Sequence, residues 1–111
     1  MSTHLCHAHG CYTPVRPSLF MCRPHWFALP KELRDAVWRE YRPGQEIGKD
    51  PSARYMAVQK LAVARTAFAP NDDQAAFVMA QYLLDAKRWQ AVAIREGKGD
   101  PLLHLLELPL P

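Results

Sequence analysis

No stretch of the 111-residue sequence approaches the ~20 uninterrupted apolar residues that span a bilayer, and the opening MSTHLCHAHG lacks the apolar core of a signal peptide. A soluble intracellular protein is expected. Cysteine is scarce and odd in number, three in all, which excludes a fully paired disulfide framework. Also absent are a His-Asn-His arrangement, paired carboxylates beside the cysteines and a phosphate-cradling glycine loop, so an enzyme is not expected. There is no helix-turn-helix signature, basic zipper region or two-cysteine, two-histidine finger, and no internal repeat. With 49% hydrophobic residues, the chain can fill one modest core but not the cores of two domains.

What the sequence does have is concentrated at its front. All three cysteines fall within the first 22 residues, close to His4, His7, His9 and His25. The spacing Cys6-x4-Cys11-x10-Cys22-x2-His25 offers two close ligand pairs that a short extended segment can bring face to face around a tetrahedral ion. Gly10 lets the first turn close tightly, and Pro24 stiffens the second. His9 or His7 in place of Cys11 has equally reasonable spacing. Three thiolates and one imidazole make a closed set, so a structural Zn2+ is the expected cofactor, with no position left for a reacting water. Such a site contributes an apparent ~10–16 kcal/mol, as much as the whole net stability of a domain, ~5–15 kcal/mol.

Fold class follows from the breakers. Pro14 and Pro17 exclude a helix over YTPVRPSLFM and favour two extended arms joined by a turn, a short zinc-stabilised β-hairpin or knuckle within a module spanning 1–29. Trp26 and Phe27, directly after His25, are expected to anchor this module in the core. Residues 30–96 are expected to be helical and packed on it. A first helix starts at Pro30 and stops at Pro43-Gly44, with Leu33, Ala36, Val37 and Tyr41 on one face and Trp38 off that stripe. A second has Asp50 as N-cap, Pro51 at its first position and a stop at Pro70, and carries Val58, Leu61, Ala62 and Phe68 on a broad apolar face. The third and longest begins at Asn71 with acids in its first turn and meets no breaker until Gly97. It bears two apolar stripes, Val78-Tyr82-Trp89-Val92 and Phe77-Leu84-Ala91, a pattern for burial between neighbours or for a dimer contact. The tail, 97–111, is Leu-rich, and its Asp100-Pro101 start suggests a short C-terminal helix of one or two turns ending before Pro109, or an irregular tail. Its leucines, Leu102, Leu103, Leu105 and Leu106 among them, either fold back over the helices or form a partner-binding docking peptide. The overall expectation is a mainly α protein.

Charge is uneven: residues 1–65 carry a net +5 and residues 66–111 a net −2. Arg16, Arg23, Lys31, Arg34, Arg39 and Arg42 form a basic front suited to phosphate contacts.

The residues CHAHGC, VRPSLFMCRPHW and LRDAVWREYRPGQE together resemble small zinc-finger-like proteins encoded by phages and prophages of proteobacteria, over roughly the first half of the chain. The resemblance implies that Cys6, Cys11, Cys22 and His25 occupy the recurring ligand positions. His9 is outside the shared pattern, which favours Cys11. It implies a bacterial host cytoplasm and brings no established activity. The expected role is a regulatory or accessory protein that binds nucleic acid, or a nucleic-acid-handling complex, through the basic front. The alternative is a protein-interaction module that inhibits or redirects a host protein, or a dimerising structural protein, through the long helix and the tail. No membrane partner is expected.

Overall fold

The computed structural model describes residues 4–16, 19–41, 51–66 and 73–108, and the architecture is mainly helical. Four helices are present among these residues: α1 (Arg23–Ala28), α2 (Lys31–Glu40), α3 (Ala53–Thr66) and α4 (Asp73–Arg95). The expected stop at Pro43-Gly44, the Asp50 cap, Phe68, and the Asn71 start all lie outside the described residues.

α1 is a helical turn and a half inside the segment expected to belong to the zinc module. Cys22, in extended conformation, is its N-cap, and Pro24 sits in its first turn, where a missing N–H costs nothing. α2 begins after Pro30 and buries Leu33, Ala36 and Val37, the predicted stripe, while Tyr41 at its C-cap is only half-buried. α3 is capped by Ser52, whose hydroxyl accepts from the Tyr55 N–H at 3.0 Å, so the cap falls two residues past the expected Asp50 and Pro51 lies ahead of the helix instead of at its first position. It buries Ala53, Ala57, Val58, Leu61, Ala62, Val63 and Ala64, so apolar surface extends well around its circumference. That requirement is met by position: α3 packs against both α2 and α4. Its alanines let the neighbouring backbones approach.

α4 closes as a Schellman motif. Gly97, at φ +73°, donates to Ile94 O and Lys98 N–H donates to Ala93 O, both at 3.0 Å. The chain then folds back. Asp100 Oδ1 accepts from Leu102 N–H and from Gln90 Nε2, and Arg65 reaches the carbonyl of Leu108. Pro101, Leu102 and Leu105 are buried, while Leu103 and Leu106 face solvent. Of the four leucines considered for a docking peptide, two therefore belong to the core.

The segments on either side of α1 contribute to that same core. Cys6, Ala8, Phe20, Met21, Cys22 and Leu29 form one contiguous apolar cluster with the buried residues of α2, α3 and the tail. Regular strand is absent among the described residues. The expected pairing of two arms within 12–21 is replaced by one antiparallel bridge between Leu5 and Pro14, flanked by Cys6 N–H to Thr13 O and Val15 N–H to His4 O, each 2.9 Å. Pro14 sits at the non-hydrogen-bonded position of this bridge, where its missing N–H costs no bond to the Leu5 segment. No described helix is long and apolar enough to cross a membrane.

Candidate metal centre

Two local structures bring four donors together. In the first, Cys11 N–H donates to Ala8 O at 3.1 Å and Gly10 takes φ +77°, which folds 8–11 into a tight turn and returns Cys11 toward Cys6. Ala8 N–H points at Cys6 Sγ, 3.4 Å away. In the second, Cys22 caps α1 and His25 lies three residues on, so both side chains project from one helical turn. The two pieces are held in register by His7 N–H to Phe20 O, 3.1 Å, and by His4, whose Nε2–H donates to Leu19 O at 2.9 Å.

The result is a cluster of Cys6, Cys11, Cys22 and His25 whose donor atoms all lie within 4.8 Å of one another. Cys22 Sγ to His25 Nδ1 is 3.2 Å, Cys6 Sγ to His25 Nδ1 3.6 Å, and Cys11 Sγ to Cys22 Sγ 3.9 Å. Around a tetrahedral ion with metal–sulfur bonds of about 2.3 Å and metal–nitrogen bonds of about 2.0 Å, neighbouring donors stand about 3.8 Å (sulfur–sulfur) and about 3.5 Å (sulfur–nitrogen) apart. The two sulfur–nitrogen distances bracket their edge, and the sulfur–sulfur distance lies just above its own. A disulfide is excluded, because its sulfurs bond at about 2.05 Å and all three thiols here are free. Three soft thiols and an imidazole, half shielded from water, fit a thiophilic metal ion.

The thiols are not equivalent. Burial pushes the Cys6 thiol up to about 11. Hydrogen bonding from Thr13, side chain and backbone, draws Cys11 down to about 6. The Cys11 Sγ to Thr13 Oγ1 distance is 3.3 Å. Cys11 is thus the more readily ionised of the two, and a bound cation would favour the thiolate form of both. His7 and His9 are engaged elsewhere. The His7 ring stacks on Phe20 at 4.9 Å, with its pKa lowered chiefly by burial, and His9 lies edge-on to Tyr82 at 6.3 Å. Cys11, and neither His7 nor His9, is the residue brought beside Cys6, Cys22 and His25.

The basic residues are more dispersed than their sequence clustering implied. Lys31 pairs with Asp35 at 2.8 Å and Arg39 with Glu40 at 3.0 Å, so two of the six cations already stand beside carboxylates. Arg42 lies outside the described residues. Arg16 is exposed on the segment after Pro14. Arg23 and Arg34 converge on one ring: their guanidinium carbons lie 5.8 and 5.0 Å from the centroid of Phe27. Arg34 Nε is buried without a hydrogen-bond partner among the described residues.

Phe27 itself is largely exposed, a correction to its expected place in the core; Trp26, the other proposed anchor, is half-buried. Phe27 borders a groove of about 260 Å³ whose walls include Phe20, Trp26, Trp38 and Tyr55. Trp26, Trp38, Tyr41 and Tyr55 contact in sequence, with centroids 6.1, 5.8 and 6.3 Å apart. Among the described residues, Arg23 is the one charged member of the lining. The sequence carried one sign of this surface, the displacement of Trp38 from the buried stripe of α2. Comparison with family models, with curated proteins and with solved structures returns no match.

Proposed function

We propose that the protein is a zinc-stabilised nucleic-acid-binding module, an accessory protein of phage type working in a bacterial cytoplasm. Zinc is the ion favoured by three thiolates and an imidazole at tetrahedral spacing, and a complete set of four protein donors favours an architectural role over catalysis. The ion would hold the Leu5–Pro14 bridge and α1 together as a zinc knuckle. The observation that carries the nucleic-acid reading is the convergence of Arg23 and Arg34 on the exposed ring of Phe27, at the edge of an aromatic groove with no acid among its described lining residues. Guanidinium groups serve phosphates, and open aromatic faces serve unpaired bases, so single strands are favoured over duplex.

The test is fluorescence anisotropy with labelled single-stranded DNA, single-stranded RNA and duplex DNA at low salt, using zinc-loaded protein. Tighter binding of a single strand, weakened by added salt, is expected. Failure to bind any of the three at low salt ends the nucleic-acid reading.

A further inference from the structure

α4 presents a second apolar seam that none of the described residues covers. Its inward face is spent on α3, with Ala86 and Ala93 fully buried. On the opposite side Phe77, Ala80, Leu84, Lys87, Ala91 and Ile94 are all exposed, and Phe77, Leu84 and Ile94 retain 64, 58 and 51% of their surface in solvent. Those six positions alternate in steps of three and four, which is the a/d pattern of a coiled-coil strand carried over nearly three heptads. An ordinary solvent face of a helix is polar, and here five of the six seam positions are apolar.

We infer that this seam pairs with the α4 seam of a second copy, in antiparallel orientation about a two-fold axis passing between Leu84 and Lys87. Charge selects the direction. A parallel pair would set Lys87 against Lys87 of the other copy within the seam. The antiparallel register sets Phe77 against Ile94, Ala80 against Ala91 and Leu84 against Lys87, so that the lysine stem lies over a leucine and its ammonium reaches solvent. It also opposes the two helix dipoles. In size the seam is modest. The three large side chains leave on the order of 300 Å² of apolar surface per copy open, and with the alanines, the Lys87 stem and the flanking Gln81 and Arg88 the pair buries about 1,000 Å² in total, the lower bound for a specific interface. Such a dimer does not depend on nucleic-acid binding.

Sedimentation equilibrium of the zinc-loaded full chain from low micromolar to several hundred micromolar concentration tests this. A monomer–dimer equilibrium is expected, abolished by Phe77→Glu and tightened by Lys87→Leu; both sites are exposed, so the melting temperature of the monomer serves as the control. Orientation is read from Leu84→Glu against Leu84→Lys. In the antiparallel register a glutamate at position 84 attracts Lys87 of the other copy and a lysine there repels it, so the Leu84→Glu variant should dimerise about tenfold more tightly than the Leu84→Lys variant. A monomer at all concentrations in both the parent and Lys87→Leu, or a dimer indifferent to Phe77→Glu, overturns the interface. Equal affinities for the two Leu84 variants overturn the antiparallel register.

Discussion

Arg54 grips Glu40 with a fork: Nε and Nη2 donate to the two carboxylate oxygens at 2.9 and 2.8 Å, while Nη1 donates to the carbonyl of Lys98 at 2.7 Å. One side chain near the start of α3 thereby ties the end of α2 to the turn after α4. The carboxylate is well shielded, with about a tenth of its side chain exposed.

The fork predicts a pH-dependent contribution to stability. The hydrogen bonds from Arg54, aided by Arg39, hold Glu40 below its ordinary value of 4.5. A carboxylate whose folded pKa is depressed contributes stability above the unfolded pKa and loses it as pH falls through the folded one. Glu40→Gln should therefore cost about 1–3 kcal/mol at neutral pH, and the gap between parent and variant should close as pH drops below 4.5. Urea unfolding of both proteins across that range measures it. The comparison cancels acid loss of the metal, which affects both alike.

The metal cluster predicts a stoichiometry and its failures. Elemental analysis of freshly reduced protein should find one zinc per chain, retained by His7→Ala and His9→Ala and lost in Cys22→Ser. Because such sites contribute an apparent ~10–16 kcal/mol, chelation should unfold the segment ahead of α2, seen as loss of amide protection at Cys6, Val15 and Trp26, whose N–H groups are bonded within it. A metal-free parent protein with those amides still protected would remove the ion from the architecture.

What the sequence made readable is local. The Cys6–Cys11 turn, the Cys22–His25 spacing, the Leu33-Ala36-Val37 stripe and the stop at Gly97 depend on residues a few positions apart, and each is found where expected. What escaped depends on distant partners. Nothing near Leu5 marks Pro14 as its bridge partner, and nothing near Glu40 marks Arg54. Phe27 reads as core because it follows Trp26, yet consecutive residues on a helix point about 100° apart, and α1 turns only one of them inward.

The tail predicts a sharp contrast between neighbours. Leu102 is buried in the central cluster and Leu103, next to it, is exposed. Leu102→Ala should cost about 2–5 kcal/mol through the cavity it leaves. Leu103→Ala should stay within about 0.5 kcal/mol. Truncation at Gly99 removes Leu102, Leu105 and the Asp100 anchor together, so a broad loss of stability is expected rather than a clean loss of partner capture. Thermal melts of the three variants decide between core and docking peptide.

If the aromatic groove serves unpaired bases, charge and stacking should separate experimentally. Arg23→Ala removes a phosphate contact, so it should weaken single strands of any sequence alike and reduce the salt slope by about 1. Trp38→Ala should leave that slope intact, because a ring carries no counterion, and should cost about 1–3 kcal/mol in affinity for single strands. Because Trp38 also packs edge-on against Trp26 and Tyr41, its loss is expected to lower the melting temperature, and the titrations are run well below the melt of the variant. Anisotropy titrations at several salt concentrations give both quantities. A Trp38→Ala variant that binds as tightly as the parent, with only Arg23 mattering, would reduce the site to a charged surface on which the groove plays no part.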